Sequence, residues 1–267
     1  MHNVLMALQN DLASSIAIRF ICQMEELGRF NIQTVHVPDL DKEGDAPGVG
    51  FVHRAWEDGV LENARQEISR LMQKENLIRY RPMPPRILLG ERDQVILSEL
   101  LQGDYDIFIE GLLHSFEPDA FLKKLESDLY RNISRPILMV KNLVKLNRGI
   151  QVVGDQDTIF SLLPWFFKLW KDLDVKTEFL ICQFDDQSDE IVFLENNTHV
   201  ISAIEDGWSR SSTVPYKVKT VKGPEMRVAE LVRDHALVMS MIPTSWEKMA
   251  GILATSPCPV LLCPRTQ

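Results

Sequence analysis

The chain has 267 residues, with 29 Lys and Arg against 38 Asp and Glu, a net charge of −9 and a pI near 5.2. An apolar share of 45% beside 25% charged residues is the profile of a globular protein, and the length suits two ordinary domains. The two signs of charge are interspersed, which leaves no basic stripe for a phosphate backbone, and no apolar run nears the roughly 20 residues of a membrane span.

In chain order, Val4–Leu8 reads as a buried strand. Ile16, Phe20, Met24 and Leu27 then recur at helical spacing, predicting a helix from Ala13 that is capped at Gly28. Ile32–Val37 is the next strand, and the acidic, Gly- and Pro-rich stretch from Pro38 to Gly50 is a loop. A long amphipathic helix over Trp56–Glu75 leads to a short strand at Ile78–Met83, which Pro84 and Pro85 break. A helix over Asp93–Leu101, a strand at Asp106–Glu110, a helix over Ala120–Asn132 and a strand at Pro136–Val140 follow.

After the polar segment Lys141–Arg148 the order repeats. Strands are expected at Gly149–Val153, Lys176–Cys182, Tyr216–Val221, Ala236–Met241 and Pro259–Cys263. Helices are expected over Phe160–Lys171, Asp189–Gly207, Pro224–Asp234 and Ser245–Thr255. The duplication is plainest where DYDIFIEGLL…ISRPILMV (from Asp104) parallels RDHALVMSMI…TSPCPVLLC (from Arg233). Apolar strands alternating with helices imply parallel sheets covered on both faces, joined by right-handed crossovers. The expected fold is α/β: two tandem doubly wound modules, each a five-stranded parallel sheet in a three-layer α/β/α sandwich, over residues 1–146 and 147–267.

This order, with its closing strands in ISRPILMV and TSPCPVLLC, resembles the universal stress protein superfamily along essentially the whole chain. Nucleotide-binding members of that family carry an Asp at the end of the first strand and a glycine-rich stretch, G-x2-G-x9-G-S/T, after the fourth. Glycines let backbone amides approach phosphates, and the next helix adds its N-terminal dipole.

In the first half Gln9 stands at the Asp position, with Asp11 two residues on. Gly111 fits the first glycine, but His114 stands at the second, and Lys124 and Leu125 replace the Gly-Ser/Thr pair. In the second half Asp155 matches, while Ser240 and Pro243 occupy the glycine positions. The resemblance therefore implies a vestigial nucleotide site at Gln9, Asp11, Gly111, His114, Asp155 and Ser240. No cofactor is expected, and ATP is the one to test.

A second resemblance covers mainly the second half. RVAELVRDHALVMSMIP (from Arg227), DQDTIFSLLPWFFKLWKDLDVKTEFLI (from Asp155) and SWEKMAGILATSPCPVLL (from Ser245) are similar to segments of the cytoplasmic C-terminal domains of cation–chloride cotransporters. That implies a cytoplasmic setting, a membrane-embedded transporter domain in the same protein, and a homodimer.

Other candidates have structural readings beside the functional ones. His114, with Asp11 and Glu110 in plausible reach, is either a titrating group or metal ligand, or an exposed loop histidine. Asp155 and Asp157 either bind a cation or cap a helix. Trp165, Phe166, Phe167 and Trp170 make the most hydrophobic helix and are candidate interface residues, or ordinary core. The acidic runs Asp39–Asp45 and Asp185–Glu190 lack the spacing of a calcium loop. Cys22, Cys182, Cys258 and Cys263 sit in apolar patterns and read as buried, reduced thiols of a cytoplasmic protein.

No nucleophile elbow, zinc motif, Walker loop or dinucleotide fingerprint is present. The expectation is a non-enzymatic regulatory domain of a cotransporter-like membrane protein that acts through domain packing and dimerisation. The alternative is a free-standing tandem universal stress protein with residual adenine-nucleotide binding.

Overall fold

The strands are near-continuous apolar runs because both of their faces are covered, and the computed structural model shows every residue of β5 (Ile137–Val140), β6 (Ile150–Gly154), β10 (Leu237–Met241) and β11 (Val260–Cys263) buried. It describes residues 1–25, 30–39, 51–113, 117–144, 149–170, 175–195, 198–208, 215–243 and 248–265. The remaining elements of the first half are β1 (His2–Ala7), α1 (Leu12–Glu25), β2 (Phe30–His36), α2 (Phe51–Lys74), β3 (Arg86–Ile87), α3 (Arg92–Gln102), β4 (Ile107–Gly111), α4 (Pro118–Leu125) and α5 (Asp128–Asn132). Those of the second are α6 (Gln156–Trp170), β7 (Thr177–Phe184), β8 (Val192–Leu194), α7 (Thr198–Trp208), β9 (Tyr216–Gly223), α8 (Glu225–Val232) and α9 (Lys248–Thr255).

The eleven strands among the described residues form one sheet, in the order β3-β2-β1-β4-β5-β11-β10-β6-β7-β9-β8. The first five strands and the set β9-β7-β6-β10-β11 have the same internal order. They meet where β5 and β11 pair antiparallel, Leu261 opposite Leu138, and every other pairing is parallel except β8 on β9. The antiparallel join turns the second set end for end, so the carboxyl ends of the two sets point in opposite directions.

Side chains alternate across the pleat and feed two apolar layers. Val4, Met6, Ile109, Val140, Val152, Met239 and Leu261 pack with α1, α2, α6 and α7. Leu5, Phe108, Met139, Val153, Val238, Val260 and Leu262 pack with α3, α4, α5, α8 and α9. Each layer runs without a break through the join. The expected boundary between residues 146 and 147 lies outside the described residues, as does the expected cap at Gly28.

Three expected elements differ. The strand expected at Ile78–Met83 is a 3-10 turn, Leu77–Tyr80, between Asn76 and Arg81, both in the left-handed region at φ 59° and 51°. Pro82, Pro84 and Pro85 cannot donate to a ladder, so apart from the Met83 N–H, which donates to the Ile32 carbonyl at 2.9 Å, pairing with β2 begins at Arg86. The helix expected over Ala120–Asn132 is two, broken at Glu126 and Ser127. The helix expected over Asp189–Gly207 begins instead with β8, because the run Ile191–Leu194 is β-branched and aromatic and adds to the β9 edge.

Candidate functional site

In open α/β sheets, ligands sit at the carboxyl ends of strands near the point where strand order reverses, here between β1 and β4 in the first half and between β6 and β10 in the second. At the first-half edge β1 runs into a tight turn. The Gln9 N–H donates to Ser14 Oγ (2.7 Å), and the Gln9 side-chain amide donates to the Val37 carbonyl (3.3 Å). Asp11 Oδ1 accepts from the Ser14 N–H at 2.8 Å, satisfying a free donor in the first turn of α1.

His36, at the end of β2, is buried with Nδ1 2.8 Å from the Leu8 carbonyl. A carbonyl only accepts, so Nδ1 carries the hydrogen. Burial holds this imidazole below its ordinary pKa, only partly offset by the Leu8 carbonyl and by Glu67. The ring is thus neutral at physiological pH.

Beyond β3, Gly90 adopts φ +130° and turns the chain into α3. The carboxylate of Glu91 accepts from the Asp93 and Gln94 N–H groups, so the chain's own anion occupies this helix N-terminus. Arg92 Nη2 donates to Glu110 Oε2 at 2.6 Å and Arg92 Nη1 to Asp93 Oδ1 at 3.0 Å. Lys124 Nζ lies 3.4 Å from the other oxygen of Glu110, a buried carboxylate at the end of β4.

Between these groups lies a cleft of about 800 Å³, lined among others by Gln9, Asp11, His36, Asp39, Glu67 and Arg92. A second hollow of about 470 Å³ shares Asn10, Asp11 and Glu67 with it and runs on between α1 and α2. Carboxylates outnumber cations on the larger cleft, and Arg92 is already held by Glu110 and Asp93. His114 lies outside the described residues.

Gly111 is tightly packed. A methyl group there would lie 2.1 Å from the Ala13 carbonyl oxygen, where β4 crosses the start of α1. Lys124 and Leu125, at the position of the Gly-Ser/Thr pair, are also used internally: Lys124 by Glu110 and the Tyr130 ring, Leu125 by the core.

The second-half edge is closed in the same way. Asp155 Oδ1 accepts from the Thr158 N–H at 2.8 Å, the capping role that Asp11 has in the first half. Asp157 is bound through its backbone carbonyl, which accepts from Ser161 Oγ. Ser240 Oγ is buried and donates to the Val153 carbonyl at 3.0 Å, which ties β10 to β6. Asp185 pairs with Lys222 at 2.9 Å and Asp186 with Lys248, so these members of the acidic run take internal partners.

Asp11→Ala and Asp155→Ala should each cost about 1 kcal/mol of stability in urea unfolding, since each frees one helix-terminal donor. Their near-equal effect is the check, because only one of the two matches the family's Asp position.

Of the candidate interface aromatics, Phe166 and Trp170 are interior and Trp165 and Phe167 half-buried. Phe166 is buried, stacked on Trp208 (5.7 Å, 14°) and edge-on to Phe179 (5.4 Å) and Phe167 (5.5 Å). Trp170 is buried, and Trp165 and Phe167 pack half-buried on the same core. Trp165 Nε1 reaches the Pro264 carbonyl at 3.2 Å, and Lys168 on this helix pairs with Asp106 of the first half at 2.8 Å. The apolar faces of α6 are thus taken up by α7, β7 and the sheet.

Three of the four cysteines are buried and Cys22 is half-buried. Burial pushes the Cys182 thiol up to about 12 and the Cys263 thiol higher still, so both are protonated and unreactive.

Among solved structures, a universal stress protein from Archaeoglobus fulgidus superposes with a TM-score of 0.67 at 13% identity, covering 100% of this chain and 97% of that one. The fold is that of the universal stress proteins. A putative universal stress protein from Pseudomonas aeruginosa gives 0.55 at 13% identity, covering 99% and 94%. A functionally unknown protein from the same organism also gives 0.55, at 12% identity over 99% and 93%. No protein-family model matches the chain, and no curated protein does. At these identities the likeness carries the architecture alone, and nothing in the comparisons links the chain to cation–chloride cotransporters. Among the described residues no helix is long and apolar enough to cross a membrane, and no three His, Cys, Asp or Glu side chains converge as a metal site.

Sequence reasoning missed three features of this universal stress protein-like fold: the Arg92–Glu110–Lys124 network, neutral His36, and buried Lys141. Glu110 and Lys141 each end an apolar strand, and a charge in that place looks like an ordinary strand terminus. Only the packing of helices over these strand ends makes them interior.

Proposed function

We propose that this chain is a non-enzymatic regulatory module that acts through contacts with other proteins rather than through nucleotide chemistry. One observation carries this reading: the groups at both family nucleotide edges are spent on the chain's own backbone and side chains. Asp11 and Asp155 cap helices, Ser240 bonds Val153, Lys124 holds Glu110, and the Glu91 carboxylate fills the start of α3. Within this reading the finer assignment is a cytoplasmic, dimeric regulatory domain of a cotransporter-like membrane protein, supported only by the resemblance of the second half. A coding sequence continuous with transmembrane helices would support that assignment. An isolated reading frame removes it and leaves the regulatory reading in place.

The 800 Å³ cleft favours a second reading, a free-standing tandem protein that keeps one adenine-nucleotide site in its first half. Equilibrium dialysis with labelled ATP and Mg²⁺ separates the two. The expected result is no saturable binding at micromolar protein, because a triphosphate would meet Asp11, Asp39, Glu67 and Glu91 with Arg92 already engaged. Saturable micromolar binding overturns the first reading in favour of the second.

A further inference from the structure

The two edges of the sheet are unlike. The β3 edge is only two residues long and follows Pro82, Pro84 and Pro85, the usual way of blunting an edge against further strands. The β8 edge is also short, three residues, but no proline stands in it or directly beside it. Val192 is 52% and Phe193 64% exposed, although both lie in a paired strand. β8 ends the hydrogen-bonded order, so its outer backbone groups face no strand among the described residues. Phe193 stands opposite Val221, whose side chain belongs to the layer under α8, so the exposed ring lies on that face of the sheet.

Charge selects the occupant. β8 is flanked by exposed Asp189 and Glu190 on one side and exposed Glu195 on the other, and none of these carboxylates forms an ion pair among the described residues. The neighbour that β8 accepts on its inner side is β9, YKVKTVKG, an apolar alternation interleaved with Lys217, Lys219 and Lys222. Lys219 pairs with Glu178 and Lys222 with Asp185, and among the described residues none of the three lysines pairs with Asp189, Glu190 or Glu195.

A second copy fits poorly. The antiparallel self-pairing that matches Ile191–Leu194 with itself sets Glu190 opposite Glu195 twice. A slip by one residue puts Asp189 opposite Glu195 in one direction and Ile191 opposite Glu195 in the other. Like charges directly opposite are destabilising.

We propose that the outer edge of β8 is a docking site for an extended segment of a partner protein, added as a further strand, with apolar side chains at alternate positions and Lys or Arg at its flanks. This deepens the partner-contact reading by giving it a surface. It is read independently of the ATP result, so either can fail alone.

The test uses the whole chain and a fluorescent peptide with the β9 sequence YKVKTVKG as probe, followed by anisotropy. Saturable binding is expected, weakened about tenfold in the doubly charge-reversed variant Glu190→Lys/Glu195→Lys and on scrambling the peptide. Of two peptides N-methylated at alternate amides, one should fail and the other bind, because a strand offers alternate amides to its neighbour. These substitutions are at exposed positions, and circular dichroism checks that the variant is folded. No saturable binding, equal binding of the scrambled peptide, or equal binding of both methylated peptides overturns the proposal. A dimer in sedimentation equilibrium that Phe193→Lys dissociates overturns it too, by assigning the edge to a second copy.

Discussion

Lys141→Ala should lower stability by about 3–5 kcal/mol, the sum of a cavity and stranded carbonyls. Lys141 follows β5 and is 1% exposed. Its ammonium donates to the carbonyls of Leu253 and Ala254, the latter at 2.9 Å, with Ser256 O at 3.5 Å. These are the unpaired acceptors at the end of α9, where a cation complements the helix dipole. The same group lies 4.9 Å from the centre of the Phe121 ring on α4. One side chain of the first half thus closes a helix of the second, beside the β5–β11 join.

Burial lowers the Lys141 pKa from 10.5 to about 7, which Cys258 nearby opposes. The folded state therefore disfavours the charged amine, and the sign of the pH effect follows. Between about pH 7 and 10.5 the unfolded chain binds a proton that the folded chain does not, so this residue's contribution to stability rises with pH across that window. Below pH 7 the penalty for burying the charge is complete and flat. Urea unfolding of the wild type and of Lys141→Met at intervals from pH 6 to 10 isolates the effect, since the other titrating groups are common to both. The stability difference should move in favour of the wild type as pH rises. A difference independent of pH would mean that the amine keeps its ordinary pKa in the folded chain.

The duplicated α/β order was legible because its signals are local. A buried strand needs only a run such as YDIFI or ALVMSMI, and a helix needs only periodic apolar positions and a cap. The joining of ten strands and an added edge into one sheet was not legible. It depends on which edges meet, and Leu138 and Leu261, which meet there, are 123 residues apart and look like any core positions. β8 was hidden for a related reason. DEIVFLENNTHVISAI carries helical periodicity overall, and only the presence of β9 alongside makes Val192–Leu194 extended. At the site, the departure from the family's glycine positions could be read from Ser240 and Lys124, but what those side chains hold instead could not. Arg92, Glu110 and Lys124 come together only through the crossing of α3, β4 and α4.

Gly111→Ala is expected to cost about 3 kcal/mol or more, at the upper end of overpacking effects. The added methyl would sit 2.1 Å from the Ala13 oxygen and 2.4 Å from its carbonyl carbon, and backbone cannot turn aside as a side chain can. Relief requires β4 to move away from α1, but Gly111 is in register with Val140 and Ala13 opens a helix held by Asp11. Gly154, at the matching strand end of the second half, differs in degree: there a methyl would meet Thr158 Cγ2 at 2.3 Å, which a rotamer change can move, and Thr158 Cβ at 2.6 Å, which only a shift of the first turn of α6 can move. Gly154→Ala should therefore cost about 2 kcal/mol, less than Gly111→Ala because no backbone atom opposes the methyl. Thermal and urea unfolding of the two variants measures the asymmetry directly. If the glycine were kept for a phosphate, Gly111→Ala would leave stability unchanged and abolish nucleotide binding. If it is kept for packing, stability falls steeply whether or not ATP is present, since a ligand that does not bind cannot offset the loss.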